Sequence, residues 1–172
     1  YVDTAGNAGA TALTTVTDSS SVTVDVTAPT ATADSITSSN AVPTLAKSGD
    51  TVTLTITASE TIVQPTCATF QSGGADAATS AITYGGSGNT WTCAYTVGAD
   101  TDGLVTFSAT YVDTAGNPGA AALTTVTDSS SVTVDVTAPI TAGSIVSSNA
   151  VPTLAKSGDT VTLTITASET IV

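Results

Sequence analysis

The side chains in this sequence that can do chemistry are nearly all oxygen donors. The 172 residues carry 14 Asp and Glu against two Lys and Arg, with no His, which leaves a net charge of −12. Asp25, Glu60, Asp113 and Asn117 make one candidate group, Asp135 and Glu169 repeat part of it farther along, and Asp3 and Asn7 repeat another part near the start. Carboxylate and amide oxygens are hard ligands, and calcium takes roughly six to eight of them, with backbone carbonyls and water completing the set. The other reactive pair is Cys67 and Cys93, the only cysteines. We expect them to form a disulfide, with two free buried thiols as the alternative. A bridge at this spacing would stabilise the fold by about 3.5 kcal/mol through loop closure in the unfolded chain. It would also imply an oxidising compartment.

The composition argues against several functions. Lack of His removes the usual acid–base group near neutral pH, and two thiols cannot complete a zinc site, so no enzyme is expected. Lys47 and Lys156 are the only cations. Two positive charges cannot supply the phosphate contacts that dominate nucleic-acid affinity, and the net negative charge is repelled by anionic lipid headgroups. Both lysines lie in a polar Lys-Ser-Gly-Asp loop instead of a buried strand, which disfavours an isopeptide crosslink. No run approaches the ~18 apolar residues of a spanning helix, so no direct membrane insertion is expected. The sequence contains no Met, and we expect it to be a stretch of a longer protein whose export and anchoring signals lie elsewhere.

A repeat sets out the elements that must position these residues. Residues 1–29 recur as 111–139 at an offset of 110, changed only where Ala8 becomes Pro118 and Thr11 becomes Ala121. Residues 38–63 recur unchanged as 147–172 at an offset of 109, so the intervening segment is one residue shorter the second time. The chain therefore divides into the C-terminal part of one unit (1–26), a complete unit (27–136) and the N-terminal part of the next (137–172). A period near 110 residues is a whole domain's worth of chain and far exceeds the roughly 20–50 residues of a solenoid repeat.

Within the complete unit, strict alternation marks strands. Val52, Leu54 and Ile56 alternate with Thr51, Thr53, Thr55 and Thr57, and Val132, Val134 and Val136 alternate with Thr133 and Asp135. Trp91, Cys93, Tyr95 and Val97 share one face of a strand, and Val105, Phe107, Ala109 and Tyr111 share one face of the next. Together these give seven short strands, at residues 35–38, 51–58, 66–70, 81–84, 90–97, 104–112 and 124–136. The class is all-β, and seven strands in this length fit tandem immunoglobulin-like antiparallel β-sandwich domains of about 110 residues per repeat. Aromatic residues are only 4% of the chain, so each core is built mainly of Val, Ala, Ile and Leu.

If the strands alternate in direction, the second, fourth and sixth connections gather where the unit begins. That brings together Glu60, Asp113 and Asn117, and Asp25 arrives through the short linker Thr27-Ala28-Pro29. Pro29 fixes its own φ and holds Ala28 extended, so the linker is expected to be stiff. The arrangement reads as an inter-domain calcium clamp, repeated by Asp135 and Glu169. The same Asp, Asn and Gly residues also fit plain turn chemistry. Asp100 and Asp102 sit at the opposite end, where a solvated turn, an added ligand, or a contact with Lys47 or Asp50 are all open. Rows of Thr such as Thr51 to Thr57 read as the ordinary solvent face of a strand.

The segments SGDTVTLTITASETI, NTWTCAYTV, DGLVTFSATYVDTAGNPG and VTVDVTAP together resemble the bacterial immunoglobulin-like repeats of very long cell-surface proteins and adhesins, over the whole length. The resemblance implies secretion, tandem stacking and calcium at domain junctions. The expected function is a structural repeat of an extracellular rod or filament, the stalk of a surface adhesin or fibre. Its partners would be neighbouring repeats of the same chain and, in a fibre, other copies of itself. One alternative is a self-assembling fibre or sheath subunit joined by strand or edge complementation. Another is a module binding a glycan, a host protein or ice, which the short loops, poor in Tyr, Trp and Arg, disfavour.

Overall fold

The computed structural model describes residues 1–10, 14–76 and 82–171. Among them there is no helix, and none is long and apolar enough to cross a membrane. The strands, in chain order, are β1 (Ala31–Ser38), β2 (Leu45–Ala46), β3 (Thr51–Ala58), β4 (Thr66–Ser72), β5 (Ala75–Asp76), β6 (Thr83–Ser87), β7 (Thr90–Thr96), β8 (Gly103–Thr110), β9 (Thr133–Val134), β10 (Thr141–Ser147) and β11 (Val161–Ala167). Residues 31–134 build two sheets, ordered β1-β3-β7-β6 and β2-β9-β8-β4-β5. All pairings are antiparallel except β2 with β9, which is parallel. A third sheet holds β10 and β11 alone.

Alternation places the core between the two large sheets, as in a β-sandwich. Val52, Leu54 and Ile56 of β3, Cys93 and Tyr95 of β7, Val105, Phe107 and Ala109 of β8, and Val132 and Val134 beside or on β9 bury one common cluster. Thr51, Thr53, Thr55 and Thr57 take the outer face of β3, half-exposed. The disulfide Cys67–Cys93 forms, with its Cα atoms 6.5 Å apart, and it ties β4 in one sheet to β7 in the other.

Several strands differ from the sequence expectation. The first begins earlier, at Ala31, and the third runs on to Ser72. The fourth, expected at 81–84, is Thr83–Ser87, and position 81 lies outside the described residues. The last, expected over 124–136, is a strand only at Thr133–Val134. Upstream of it, Asp128 Oδ1 accepts the Ser130 amide in a turn with Ser129 at φ 60°, so the chain bends where an uninterrupted strand was expected. Strands β2 and β5 were not anticipated, because two residues carry no period to detect.

The change of offset from 110 to 109 has a local structural origin. Pairing of β1 with β3 slips between Ala31 and Ala33, so Thr32 is the extra residue of a β-bulge, and its hydroxyl donates to the Thr57 carbonyl at 3.0 Å. The matching hairpin β10–β11, which lacks that residue, pairs without a slip. Beyond the bulge the two hairpins agree, Ile36 facing Leu54 as Ile145 faces Leu163.

Candidate functional site

Three connections meet at the end where the chain enters the sandwich: β3 to β4, β6 to β7, and the turn after β8. Ala58 N donates to Asn89 O at 2.8 Å and Ile62 N to Gly88 O at 3.0 Å. The Trp91 indole N–H lies within reach of the carbonyls of Ile62 (3.3 Å) and Gly88 (3.2 Å). Val63 N donates to Val112 O at 3.0 Å, which brings the Glu60 loop against the Asp113 turn.

That turn, Asp113-Thr-Ala-Gly-Asn117, is built around the Asp113 carboxylate. Its Oδ1 accepts the amides of Gly116 (2.6 Å) and Asn117 (2.8 Å), and its Oδ2 accepts the Asn117 side-chain amide at 2.7 Å. Gly116 takes φ +97°, a backbone that a side chain would strain. Asp113 is only 2% exposed. Burial alone would raise its pKa, but the hydrogen bonds from Asn117 and Gly116 outweigh it and hold the carboxyl below the usual range. The group therefore stays an anion.

Glu60 approaches this anion from the β3–β4 loop and Asp25 from the preceding linker. One carboxylate oxygen from each of Asp25, Glu60 and Asp113 lies within 4.8 Å of the others. Asp25 Oδ1 accepts the Thr27 amide at 3.0 Å, and the Asp25 carbonyl accepts Asn117 Nδ2 at 3.1 Å. Glu60 Oε1 is shielded from solvent and has no hydrogen-bond partner. Loss of solvation, with repulsion from Asp25 and Asp113, raises the Glu60 pKa. The group collects three like charges around a buried, unsatisfied oxygen, an arrangement suited to an oxygen-seeking cation.

Asn117 does not present itself as the sequence suggested. An amide oxygen facing the carboxylates was expected, but the nitrogen faces them, donating to Asp113 Oδ2 and Asp25 O. It shapes the turn and tethers the linker. Asp3 and Asn7 repeat the turn, with Asn7 Nδ2 on Asp3 Oδ2 at 2.8 Å, on an exposed segment. Asp135 and Glu169 join no such three-carboxylate group among the described residues. They line a cleft of about 520 Å³ with Asp102, and Glu169 Oε1, like Glu60 Oε1, is shielded and unpartnered.

At the far end, sequence reasoning missed what Asp102 does. Its Oδ1 accepts the Val136 amide at 2.7 Å and its Oδ2 accepts the Thr137 hydroxyl. No local spacing announces partners 34 and 35 residues away. Asp50, considered as its neighbour, instead accepts Asn40 Nδ2 at 2.7 Å and the Lys47 amide at 2.8 Å. Comparison with protein-family models, curated proteins and solved structures finds no match to this chain.

Proposed function

We propose that the chain is a stretch of an extracellular rod, the stalk of a surface adhesin or fibre, built from immunoglobulin-like units stacked in tandem and stiffened by calcium at their junctions. The observation that carries this reading is the meeting of Asp25, from before the linker, with Glu60 and Asp113, from after it, within 4.8 Å. Side chains from two successive sequence repeats share one patch of negative charge, with a buried oxygen left unpaired. Calcium bound there would supply the positive charge that nothing else nearby provides. Asp25, Glu60 and Asp113 would hold it, and Asn117 would keep Asp113 and the linker in place.

The strand order supports the immunoglobulin-like part. Leaving out the two-residue edge strands β2 and β5 and taking β9 as the seventh, one sheet runs first, second, fifth, fourth and the other seventh, sixth, third, the order of constant-type immunoglobulin domains. Repetition of local structure supports tandem stacking. Asn149 grips Asp159 at 2.7 Å as Asn40 grips Asp50. Leu163 is 62% exposed where its counterpart Leu54 is fully buried, so β10–β11 has the face of a unit whose remaining strands would cover it. The disulfide is compatible with an oxidising, extracellular setting.

The test is small-angle scattering and thermal melting of the full chain in calcium and in excess chelator, with Glu60→Gln and Asp25→Asn variants. Calcium should raise Tm and reduce the spread of conformations in the wild type, and both substitutions should abolish the response. A wild type indifferent to calcium would overturn the junction site.

A further inference from the structure

We infer that Asp102 is the positioning residue that sets the direction in which the chain leaves the sandwich, by fixing the first residues of the linker from the turn before the neighbouring strand β8. The inference goes beyond the calcium reading and holds without metal.

The linker is fastened at both ends. On the sandwich side, Asp102 takes the Val136 amide through one oxygen and the Thr137 hydroxyl through the other. On the far side, Ile140 N donates to Ser168 Oγ at 3.0 Å and Ser168 N donates back to Ile140 O at 2.9 Å. Only Ala138 and Pro139 lie between the two fastenings. Proline fixes one torsion outright and restricts the residue before it to extended geometry. Without Asp102 the Val136 amide would lose its acceptor, and Thr137 would keep only its amide bond to Asp135 Oδ1 at 3.2 Å, leaving more soft torsions between the sandwich and Ile140.

Asp102 is itself held firmly. Ser72, fully buried, donates its hydroxyl to Thr101 O at 2.7 Å. Gly73 packs so tightly against Asp102 that an added Cβ would collide with its carbonyl. The hydrogen bonds from Thr137 and Val136 keep the Asp102 carboxyl below its ordinary pKa, so it remains an acceptor at both oxygens. Its role follows from that: a rigid loop carries a carboxylate that clasps a backbone leaving the domain.

The experiment is nuclear magnetic resonance on the full chain in excess chelator, reading amide exchange at Val136 and residual dipolar couplings of β10–β11 against those of β3 and β7. In the wild type one alignment tensor should fit both groups. Asp102→Ala should speed Val136 exchange about tenfold and leave β10–β11 averaged, while the sandwich keeps its Tm. Asp102→Asn keeps an acceptor for Val136 and should restore part of the protection. Thr137→Val removes only the hydroxyl half of the clasp, so it should average β10–β11 while Val136 keeps its protection, a reading that stands should Asp102→Ala fail to fold. A single tensor that survives both Asp102→Ala and Thr137→Val, or wild-type couplings already averaged, would overturn the inference. Either result is independent of any calcium response.

Discussion

Replacing Asp34 by Asn should make the sandwich more stable at neutral pH, although it removes a native side chain from the interior. Asp34 is 1% exposed on β1. Its Oδ1 accepts one long hydrogen bond, from Thr57 N at 3.3 Å, and its Oδ2 is buried with no partner. That Thr57 amide is freed for it at the bulge, where pairing slips between Ala31 and Ala33. A buried acceptor left without a donor costs about 1–3 kcal/mol, and more when charged. Asn keeps the oxygen for Thr57 and drops the charge but places an unsatisfied amide where Oδ2 stood, so we expect a gain of about 1–2 kcal/mol at pH 7.

Titration gives the sign independently. Burial raises the Asp34 pKa, the Thr57 amide offsets part of that, and Asp128 nearby adds to it. A carboxyl whose folded pKa lies above its unfolded value favours folding in acid, where it is protonated in both states, and loses that stability as pH rises through the folded pKa. Wild type and Asp34→Asn should therefore coincide near about pH 3 and diverge toward pH 7. Urea unfolding followed by fluorescence of Trp91, the one tryptophan, measures the difference, in which the carboxylates not coupled to Asp34 cancel. Asp34→Ala controls for the bulge, since it strands the Thr57 amide and should show little or no gain. An Asp34→Asn protein less stable than wild type at pH 7, or a difference independent of pH, would refute the reasoning.

Two further outcomes are expected. Reducing Cys67–Cys93, or replacing both by Ala, should cost about 3.5 kcal/mol by the loop-closure argument, seen as a lower urea midpoint that reductant no longer changes in the double variant. Leu54→Ala should cost about 2–5 kcal/mol, while Leu163→Ala, at the matching but 62%-exposed position, should stay within about 0.5 kcal/mol in the same melt.

The sequence was legible where a side-chain period runs long enough to be read. The Thr and apolar alternation of β3 is found at Thr51–Ala58, and Cys93, Tyr95 and Val97 fall on one buried face, with Trp91 half-buried at its edge. Strand parity was enough to bring Glu60 and Asp113 to the end where Asp25 enters, because the connections of an antiparallel sandwich can only gather at its two ends. The orientation of Asn117 was hidden, since an amide offers nitrogen or oxygen according to neighbours that the sequence does not place. The bonds from Asp102 to Val136 and Thr137 were hidden too, as was the pairing of Leu45–Ala46 with Thr133–Val134. They depend on which distant segments the sheets bring side by side. The one-residue difference between offsets was visible, but only the pairing locates it at Thr32.

The parallel contact of β2 with β9 takes on a mechanical meaning if such a rod bears tension. The pull enters near Thr30, which is fastened to Ser59, and leaves at Val136. Load along that line meets the bonds from Thr133 N to Thr44 O (2.9 Å) and from Asp135 N to Ala46 O (2.8 Å) side-on. They must shear together instead of parting one by one, as the rungs of an antiparallel edge do when its ends are peeled. Once they yield, the unit pays out slack, but not all of it. The 26-residue separation of Cys67 and Cys93 would stay closed, withholding about 90 Å of extended chain, so that a sandwich under such load would act as a shock absorber with a stop.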